Sequence, residues 1–301
     1  MWKIFRRKNN GLTKNIMKNN FRFVFFGTPE LVVPILDELK SAEMAPALIV
    51  TAPDKRKGRG LILTPPLAKV WAEKNNIPVL QPEKLDPDFL YQLPTTNYQL
   101  FIVVAYGKIL PQEIIDIPQY GTFNIHYSLL PKYRGATPVE SAILNGDKET
   151  GVAIQKMVFK LDAGAIVAEE KVAIYDGETA SALRTRLNDI AKKLLVETIK
   201  KIILGMASYR EQNHEKATYC KKIKKEDGLI DLAGDPEENY RKYLAYCGWP
   251  GTYFFMEKKG KKIRVIIKKA EFTGGKFKIK RVLPEGGREI DYQIFLQGKA
   301  L

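Results

Sequence analysis

The feature that most constrains the fold is a regular alternation, along the first half of the chain, of short apolar runs with helical stretches. The apolar runs are FRFVFFG (21–27), ALIVTAP (47–53), QLFIVVAYG (99–107) and GTFNIHYS (121–128). Short runs rich in aromatic and β-branched residues are typical of buried strands. Amphipathic stretches between the runs are typical of helices. This order predicts a Rossmann-like α/β domain, with an open, mostly parallel sheet covered by helices on both faces.

Three of the expected helices have recognisable ends. Thr28-Pro29-Glu30 follows the first strand, and threonine there is expected to cap the next helix. TPVESAILNG (137–146) predicts a helix that stops at Gly146. After two expected strands, GVAIQKMVF and AIVAEEKVAI, a long amphipathic helix runs to Gly205. We therefore place the α/β domain at residues 21–205.

The last third of the chain has a different character. Residues 206–222 lose the helical periodicity and are expected to be a linker. Residues 223–301 contain short, alternating, lysine-rich runs separated by glycine turns. This pattern predicts a small antiparallel β domain, barrel-like in the manner of an OB fold. Tyr246 and Trp249, in AYCGWPGTYF, are expected to be core or fold-defining residues of that domain and not part of a site.

The net charge of +15 is unevenly distributed. Residues 1–20 contribute +6 and residues 205–301 contribute +8, which leaves the central part nearly neutral. A concentrated positive charge favours a polyanionic partner such as nucleic acid. The alternative is a basic surface that serves only solubility.

Several classes of protein are disfavoured by composition. Two cysteines cannot form a disulfide framework, and no Cys/His cluster has metal-ligand spacing. No apolar run reaches the roughly 20 residues of a membrane span. Residues 1–20 are basic but have no long apolar segment, so a secretory signal is not expected. They are expected to be a disordered arm, or else the true start of translation is Met17. A cytoplasmic, metal-free protein is expected.

One strand carries residues suited to chemistry at a carbonyl carbon. Asn124 and His126 are two positions apart, so their side chains share one face of the strand. An amide can donate to a developing oxyanion, and a histidine can move a proton near neutral pH. Asp162, in FKLDAGAIV, is a candidate to orient the histidine or a water molecule. The alternative is a buried structural histidine, with Asp162 serving only as a turn former.

The sequence around these residues carries a resemblance. NIHYSLLPKYRGATPVESAILNGDKETGV, followed by LDAG, resembles the folate-dependent formyltransferase family. FFGTPE, PDKRKGRG and VVAYGKILP are similar to the branch of that family that acts on methionyl initiator tRNA. The resemblance covers residues 21 to about 205 well and continues more weakly beyond them.

The resemblance implies transfer of a formyl group from 10-formyltetrahydrofolate to the α-amine of methionyl initiator tRNA, in translation initiation. By analogy, Asn124 would donate to the formyl oxygen of a tetrahedral intermediate. His126 would manage proton transfer from the attacking amine, and Asp162 would position His126 or a bridging water. No metal and no covalent enzyme intermediate would be needed, and a monomer is expected.

Two loops gain expected roles from the same resemblance. The loop after the Asn/His strand would contact the folate, because a Leu-Leu-Pro turn offers a flat apolar slot with backbone polar groups. Its residues are Ser128, Leu129, Leu130 and Pro131. The basic loop after the second strand would enter the tRNA acceptor end, with phosphate and base contacts. Its residues are Lys55, Arg56, Lys57 and Arg59. The C-terminal lysines, including Lys261, Lys262, Lys268 and Lys269, could track the RNA backbone.

The sequence departs from the family in two places. Tyr127 stands where a small residue or proline is usual, and its ring either narrows the folate slot or points to the other face of the strand. The C-terminal domain is shorter than usual, with one hairpin fewer after EFTGGKFKIKRVL. The second departure bears on tRNA affinity more than on chemistry.

Alternative functions remain open at this point. A formyltransferase acting on sugar-nucleotide amines would lack the basic GRG loop. One acting on glycinamide ribonucleotide would end near residue 205, and a formyltetrahydrofolate hydrolase would carry an N-terminal regulatory domain. A different class is an RNA-binding protein built on an inactive transferase scaffold. Intact Asn124, His126 and Asp162 argue against that class.

Overall fold

The structure of the protein is a computed structural model. It describes residues 21–58, 60–93, 98–258 and 260–298, with Lys57 described by its backbone alone. The basic arm expected at residues 1–20 lies outside the described residues, and so does Arg59 of the basic loop.

Strands and helices alternate through the first part of the chain, as the apolar runs predict. The strands are β1 (Phe23–Gly27), β2 (Leu48–Val50), β3 (Lys55–Lys57), β4 (Ile62–Thr64), β5 (Val79–Leu80), β6 (Leu100–Val104), β7 (Thr122–His126), β8 (Arg134–Gly135), β9 (Glu149–Lys156), β10 (Ile166–Ala173), β11 (Tyr219–Cys220), β12 (Thr252–Lys258), β13 (Lys261–Thr273), β14 (Lys276–Pro284) and β15 (Ile290–Asp291). The helices are α1 (Val32–Ser41), α2 (Leu67–Lys74), α3 (Pro87–Gln92), α4 (Gln112–Ile115), α5 (Pro138–Leu144), α6 (Ala180–Ile203), α7 (Pro236–Tyr246) and α8 (Tyr292–Leu296).

The main sheet has seven strands in the order β10-β9-β7-β6-β1-β2-β5. The pairs β1–β2, β1–β6, β2–β5 and β6–β7 are parallel, and β7–β9 is antiparallel. Every residue of β1 and β6 is buried, which explains their unbroken apolar sequences. The predicted α/β class with a mostly parallel sheet is confirmed.

The N-terminal cap predicted for the first helix is wrong. Helix α1 begins at Val32, and the residue before it makes no capping hydrogen bond through its side chain. The Thr28 hydroxyl instead donates to the carbonyl oxygen of Tyr106 (3.2 Å) and accepts from the amide of Ala52 (3.3 Å). Thr28 therefore joins the segments that follow three neighbouring parallel strands, where backbone groups have left the sheet ladder and need partners.

The described chain forms two compact units. The first comprises the described residues up to Arg134, Gly151–Lys171 and Thr185–Thr218. One apolar cluster of its core contains Val24, Phe26, Leu48, Val50 and Phe101.

The second unit comprises Gly135–Thr150, Val172–Arg184 and the described residues from Tyr219. Its four-stranded sheet, in the order β12-β13-β14-β15, is antiparallel, as predicted for the C-terminal part. Phe254, Val265 and Val282 lie in its core. Tyr246 is buried, as a core residue would be, whereas Trp249 is 58% exposed and is therefore not a core residue.

Candidate active site

Three residues proposed from sequence meet beyond the end of a central strand. Asn124 and His126 lie on β7, and His126 is its last residue. Strand β9 is the antiparallel neighbour of β7, and Asp162 lies in the loop that leaves β9. The side chains at 124 and 126 point to one face because strand residues alternate. The sheet order therefore brings Asp162, which is 38 residues after Asn124, to that face.

The distances join the three side chains into one cluster. The Asn124 amide Nδ2 lies 3.5 Å from Asp162 Oδ1, a long hydrogen bond. Asp162 Oδ2 lies 3.7 Å from His126 Nδ1, beyond direct hydrogen-bonding distance. His126 is buried, and Asn124 and Asp162 are half-buried. The cluster can therefore reach a substrate from its open side while the histidine stays largely shielded from water.

A backbone carbonyl selects the tautomer of the histidine. His126 Nε2 lies 2.8 Å from the carbonyl oxygen of Tyr133. A carbonyl oxygen only accepts hydrogen bonds, so Nε2 must carry a proton. In the neutral ring, Nδ1 is then an unprotonated acceptor that faces Asp162. A proton taken up by Nδ1 would lie beside the Asp162 carboxylate.

The backbone is strained at two of the positions that build this cluster. Tyr133 has φ of 58° and Asp162 has φ of 46°. Such left-handed conformations are uncommon for residues with a side chain and concentrate at functional sites. At Tyr133 the turn aims the carbonyl at His126, and at Asp162 it aims the carboxylate at the same ring.

The loop expected to bind folate follows directly. The Ser128 hydroxyl is buried and donates to the carbonyl oxygen of Lys132 (2.5 Å). Leu130 packs against Ala153 and Ile166 in a small apolar cluster, whereas Leu129 and Pro131 are half-buried. Ser128 and Leu130 thus hold the loop in shape with their side chains. The backbone of the loop is also engaged, because the Leu129 carbonyl oxygen accepts from the Lys132 amide (3.0 Å) and the Pro131 carbonyl oxygen accepts from the Thr218 amide (3.2 Å).

Tyr127 turns out to belong to the scaffold. Its ring is buried and its hydroxyl donates to Asn188 Oδ1 (2.7 Å) on helix α6. The Asn188 amide in turn donates to the carbonyl oxygen of Leu31 (2.9 Å). The bulky residue therefore ties β7 to the helix layer.

The basic loop after β2 forms a hairpin that the sequence did not predict. Strands β3 and β4 pair from Lys55–Thr64 to Lys57–Ile62. Lys55 and Arg56 are exposed, and the Arg56 guanidinium donates to the carbonyl oxygen of Leu61 (3.2 Å). Leu61, Ile62 and Leu63 are each at least 59% exposed. The hairpin therefore presents both cationic and apolar side chains to solvent.

The carboxylate of Asp54, directly before this hairpin, is held by two side-chain hydrogen-bond donors. Asp54 accepts from the Gln81 amide (2.7 Å) and from the Lys69 ammonium (2.9 Å). These hydrogen bonds, that from Gln81 first, hold the pKa of Asp54 below its ordinary value. The contacts anchor the start of the hairpin to residues elsewhere in the first unit.

The C-terminal lysines lie on long strands of the second unit. Lys261, Lys262, Lys268 and Lys269 on β13 are all exposed. The Lys262 ammonium lies 4.6 Å from the centre of the Phe255 ring. Arg264 stacks at 3.7 Å over the ring of Tyr253. Of these two rings, that of Phe255 is 44% exposed, whereas that of Tyr253 is buried beneath the arginine.

Comparison with known proteins identifies the family. The model of the Formyl transferase family matches residues 21–199. The chain belongs to the formyl transferase family. A relative from Thermotoga maritima, named methionyl-tRNA formyltransferase, is 40% identical over 236 residues, which cover 78% of this chain and 75% of the relative. A relative of the same name from Geobacter metallireducens is 35% identical over 294 residues, covering 91% and 94%.

Solved structures of formyl transferases share the fold. A methionyl-tRNA formyltransferase from Clostridium thermocellum gives a TM-score of 0.61 at 18% identity, covering 90% of this chain and 99% of that one. An N-formyltransferase from Helicobacter canadensis, in complex with folinic acid and dTDP-3-aminofucose, gives 0.62 at 19% identity, covering 84% and 88%. Within the described part of this formyl transferase, no helix is long and apolar enough to cross a membrane.

Proposed function

We propose that this protein transfers the formyl group of 10-formyltetrahydrofolate to the α-amine of methionyl initiator tRNA. The observation that supports this most directly is the meeting of Asn124, His126 and Asp162 at the end of β7, in a chain of the formyl transferase family. The acceptor is proposed from the relatives, which are named methionyl-tRNA formyltransferase. The exposed cationic hairpin is consistent with an RNA acceptor.

The proposed chemistry follows from the donor and acceptor atoms. The amine nitrogen attacks the formyl carbon, and the Asn124 amide donates to the oxyanion that develops. His126 Nδ1 takes the proton from the amine, with the Asp162 carboxylate beside it. The intermediate then collapses: the bond from carbon to folate N10 breaks, and N10 receives the proton from His126. The products are the formylated amine and tetrahydrofolate, with no external proton donor required.

The two substrates are proposed to use different surfaces. The loop Ser128, Leu129, Leu130 and Pro131 would hold the folate, chiefly through its backbone and the side chains of Leu129 and Pro131. Lys55 and Arg56, with Lys57 and Arg59, would bind the acceptor end of the tRNA. The lysines of β13 would add backbone contacts that are sensitive to salt. We propose that the protein acts in the cytoplasm as a monomer.

The test is a transfer assay with purified protein and 10-formyltetrahydrofolate. Methionyl initiator tRNA, free methionine and an amino sugar nucleotide are supplied as separate acceptors. Wild type is compared with Asn124→Ala and His126→Ala, and circular dichroism checks that each variant is folded. We expect formylation of the charged tRNA alone, with a loss of at least 100-fold in kcat for both variants.

Other outcomes would redirect the proposal in defined ways. Formylation of the amino sugar nucleotide in preference to tRNA would keep the chemistry and refute the acceptor. Binding of tRNA without formyl transfer would indicate an RNA-binding protein on an inactive scaffold. Wild-type rates in both variants would refute the assignment of the site.

A further inference from the structure

A network of buried polar side chains, which the proposed chemistry does not use, contacts the Asp162 loop. Arg134 is fully buried, Gln155 is 1% exposed and Gln212 is 5% exposed. They come from three separate parts of the sequence. We propose that Gln212, held by Arg134, is a positioning residue that fixes the Asp162 loop, and that Gln155 aims the Asp162 carboxylate. This inference rests on the proposed function of the same site.

Gln212 binds the loop at two points. Its Nε2 donates to the carbonyl oxygens of Asp162 (2.9 Å) and Gly164 (2.7 Å). Both are backbone groups of the segment that carries the carboxylate. A single amide therefore holds the residues on either side of Ala163, and the Asp162 backbone cannot rotate without breaking one of these bonds.

Arg134 fixes the orientation of the Gln212 amide. Its Nη2 donates to Gln212 Oε1 at 2.6 Å and its Nε does so at 3.2 Å. Guanidinium groups only donate and carbonyl oxygens only accept, so the amide has one permitted orientation. The same Nη2 lies 2.9 Å from His214 Nδ1, which must then be an acceptor. The amide is thus pre-set before any substrate binds.

Gln155 acts on the carboxylate itself. Its Nε2 donates to Asp162 Oδ1 (2.8 Å), while its Oε1 accepts from the amide of Gly164 (3.1 Å). With Oδ1 held, the other oxygen, Oδ2, is the one turned toward His126 Nδ1. Gln155 thereby sets which carboxylate oxygen faces the histidine.

The backbone explains why such support is needed. Asp162 has φ of 46°, a strained conformation that persists only where its surroundings determine it. Arg134 also directly follows Tyr133, whose strained turn supplies the carbonyl that accepts from His126. The buried polar network therefore supports both the Asp162 carboxylate on one side of His126 and the Tyr133 carbonyl on the other.

The alternative is that these side chains only satisfy one another in the core and contribute to stability alone. Two variants of Gln212 separate the possibilities. Gln212→Glu keeps an acceptor for Arg134 but removes the donor to the loop carbonyls, and Gln212→Leu removes both. Thr122→Val is the matched control, because Thr122 is a fully buried residue of β7 whose hydroxyl donates only to a carbonyl away from the cluster, that of Ile115 (2.8 Å).

The assay is steady-state formyl transfer to methionyl initiator tRNA, with urea unfolding of each variant. For Gln212→Glu we expect kcat to fall roughly 10- to 100-fold, with both KM values within about threefold of wild type, because misplaced catalytic groups slow chemistry more than binding. Thr122→Val should lose stability and keep its kcat. In an Asp162→Asn background, Gln212→Glu should cause little further loss, since it acts through Asp162.

Each remaining outcome counts against a specific proposal. A wild-type kcat in folded Gln212→Glu, or a full additional loss in the Asp162→Asn background, would overturn the positioning role. So would failure of both Gln212 variants to fold, which would assign Gln212 to folding. Wild-type protein that moves no formyl group to tRNA would instead overturn the proposed function, and with it this inference.

Discussion

Gly164 offers the sharpest test of how the Asp162 loop is built. A Cβ added at this residue would lie 1.7 Å from the carbonyl oxygen of Lys156 and 2.8 Å from its carbonyl carbon. Real Cβ contacts are essentially never shorter than 3.0 Å, so the two segments must separate by at least about 1.3 Å. The obstructing atoms are backbone atoms of β9, which no side-chain rotation can move away. Gly164→Ala must therefore displace the loop or the strand.

Two magnitudes follow from that displacement. Overpacking of this kind costs typically 1 to 3 kcal/mol of unfolding free energy, and a backbone clash belongs at the upper end, about 3 kcal/mol. A misplacement of about 1 Å can also cost on the order of 100-fold in rate. Asp162 is only two residues away, and its Oδ2 lies 3.7 Å from His126 Nδ1. We therefore expect a 10- to 100-fold lower kcat together with reduced stability.

The measurements are urea unfolding by circular dichroism and steady-state formyl transfer. Gly60→Ala is the control for stability, because a Cβ there meets only the Ile62 side chain, at 3.5 Å and beyond. It should leave the unfolding midpoint within error of wild type. If Gly164→Ala has the same midpoint as this control and a wild-type kcat, the geometric argument for the loop is refuted.

Three further predictions concern other parts of the first unit. Burial raises the pKa of Tyr106 from 10.0 to about 12, so the folded state favours the neutral phenol. The free energy of unfolding should therefore fall by about 3 kcal/mol as the pH rises from 10 to 12. Tyr106→Phe should remove this loss of unfolding free energy at alkaline pH. It should change the unfolding free energy little at pH 7, because the hydroxyl has no hydrogen-bond partner among the described residues. An unchanged alkaline transition in urea titrations of the variant would contradict the prediction. Tyr127→Phe removes a buried hydrogen bond to α6 and should cost about 1 to 3 kcal/mol in urea unfolding, whereas the same change at Tyr91, which is 89% exposed, should cost nothing measurable. Replacing Lys55 and Arg56 together by alanine should raise KM for tRNA and leave KM for the folate unchanged. The slope of log affinity for tRNA against log salt concentration should become shallower by roughly 1.4 to 1.8. An unchanged slope would exclude phosphate contacts by these two residues.

The α/β architecture could be predicted from the sequence, and so could the proximity of the three residues proposed as catalytic. Apolar runs such as FVFFG and LFIVV, rich in aromatic and β-branched residues, are typical of buried strands, and period-2 alternation puts residues 124 and 126 on one face. The prediction that Thr28 caps the first helix was wrong because its hydroxyl hydrogen-bonds to backbone groups that follow the neighbouring strands. The hairpin at β3 and β4 was missed because KRKGRGLIL has no polar–apolar alternation, which is the usual signal for a strand.

The supporting polar residues left no local signal at all. Gln155 sits inside an apolar strand, where a polar residue predicts only an exposed position, yet it is 1% exposed. Gln212 lies in a segment without periodicity, which favoured the interpretation as a linker. Its partners are 50 and 78 residues away in sequence, so only the folded sheet brings them together. A single polar residue becomes interpretable when its donors and acceptors can be counted in three dimensions.

The segment that follows α6 sets where this protein could be divided. Besides Gln212, it contains Thr218, whose carbonyl oxygen accepts from the Arg134 amide (2.8 Å) and whose hydroxyl accepts from the Tyr133 amide (2.8 Å). A fragment truncated after Gly205 would keep all three proposed catalytic side chains but lose the groups that hold their backbone. We expect exchange of C-terminal parts between relatives to lower turnover less when the junction lies after Thr218, which leaves these contacts native, than when it lies at the end of the helix, which replaces them.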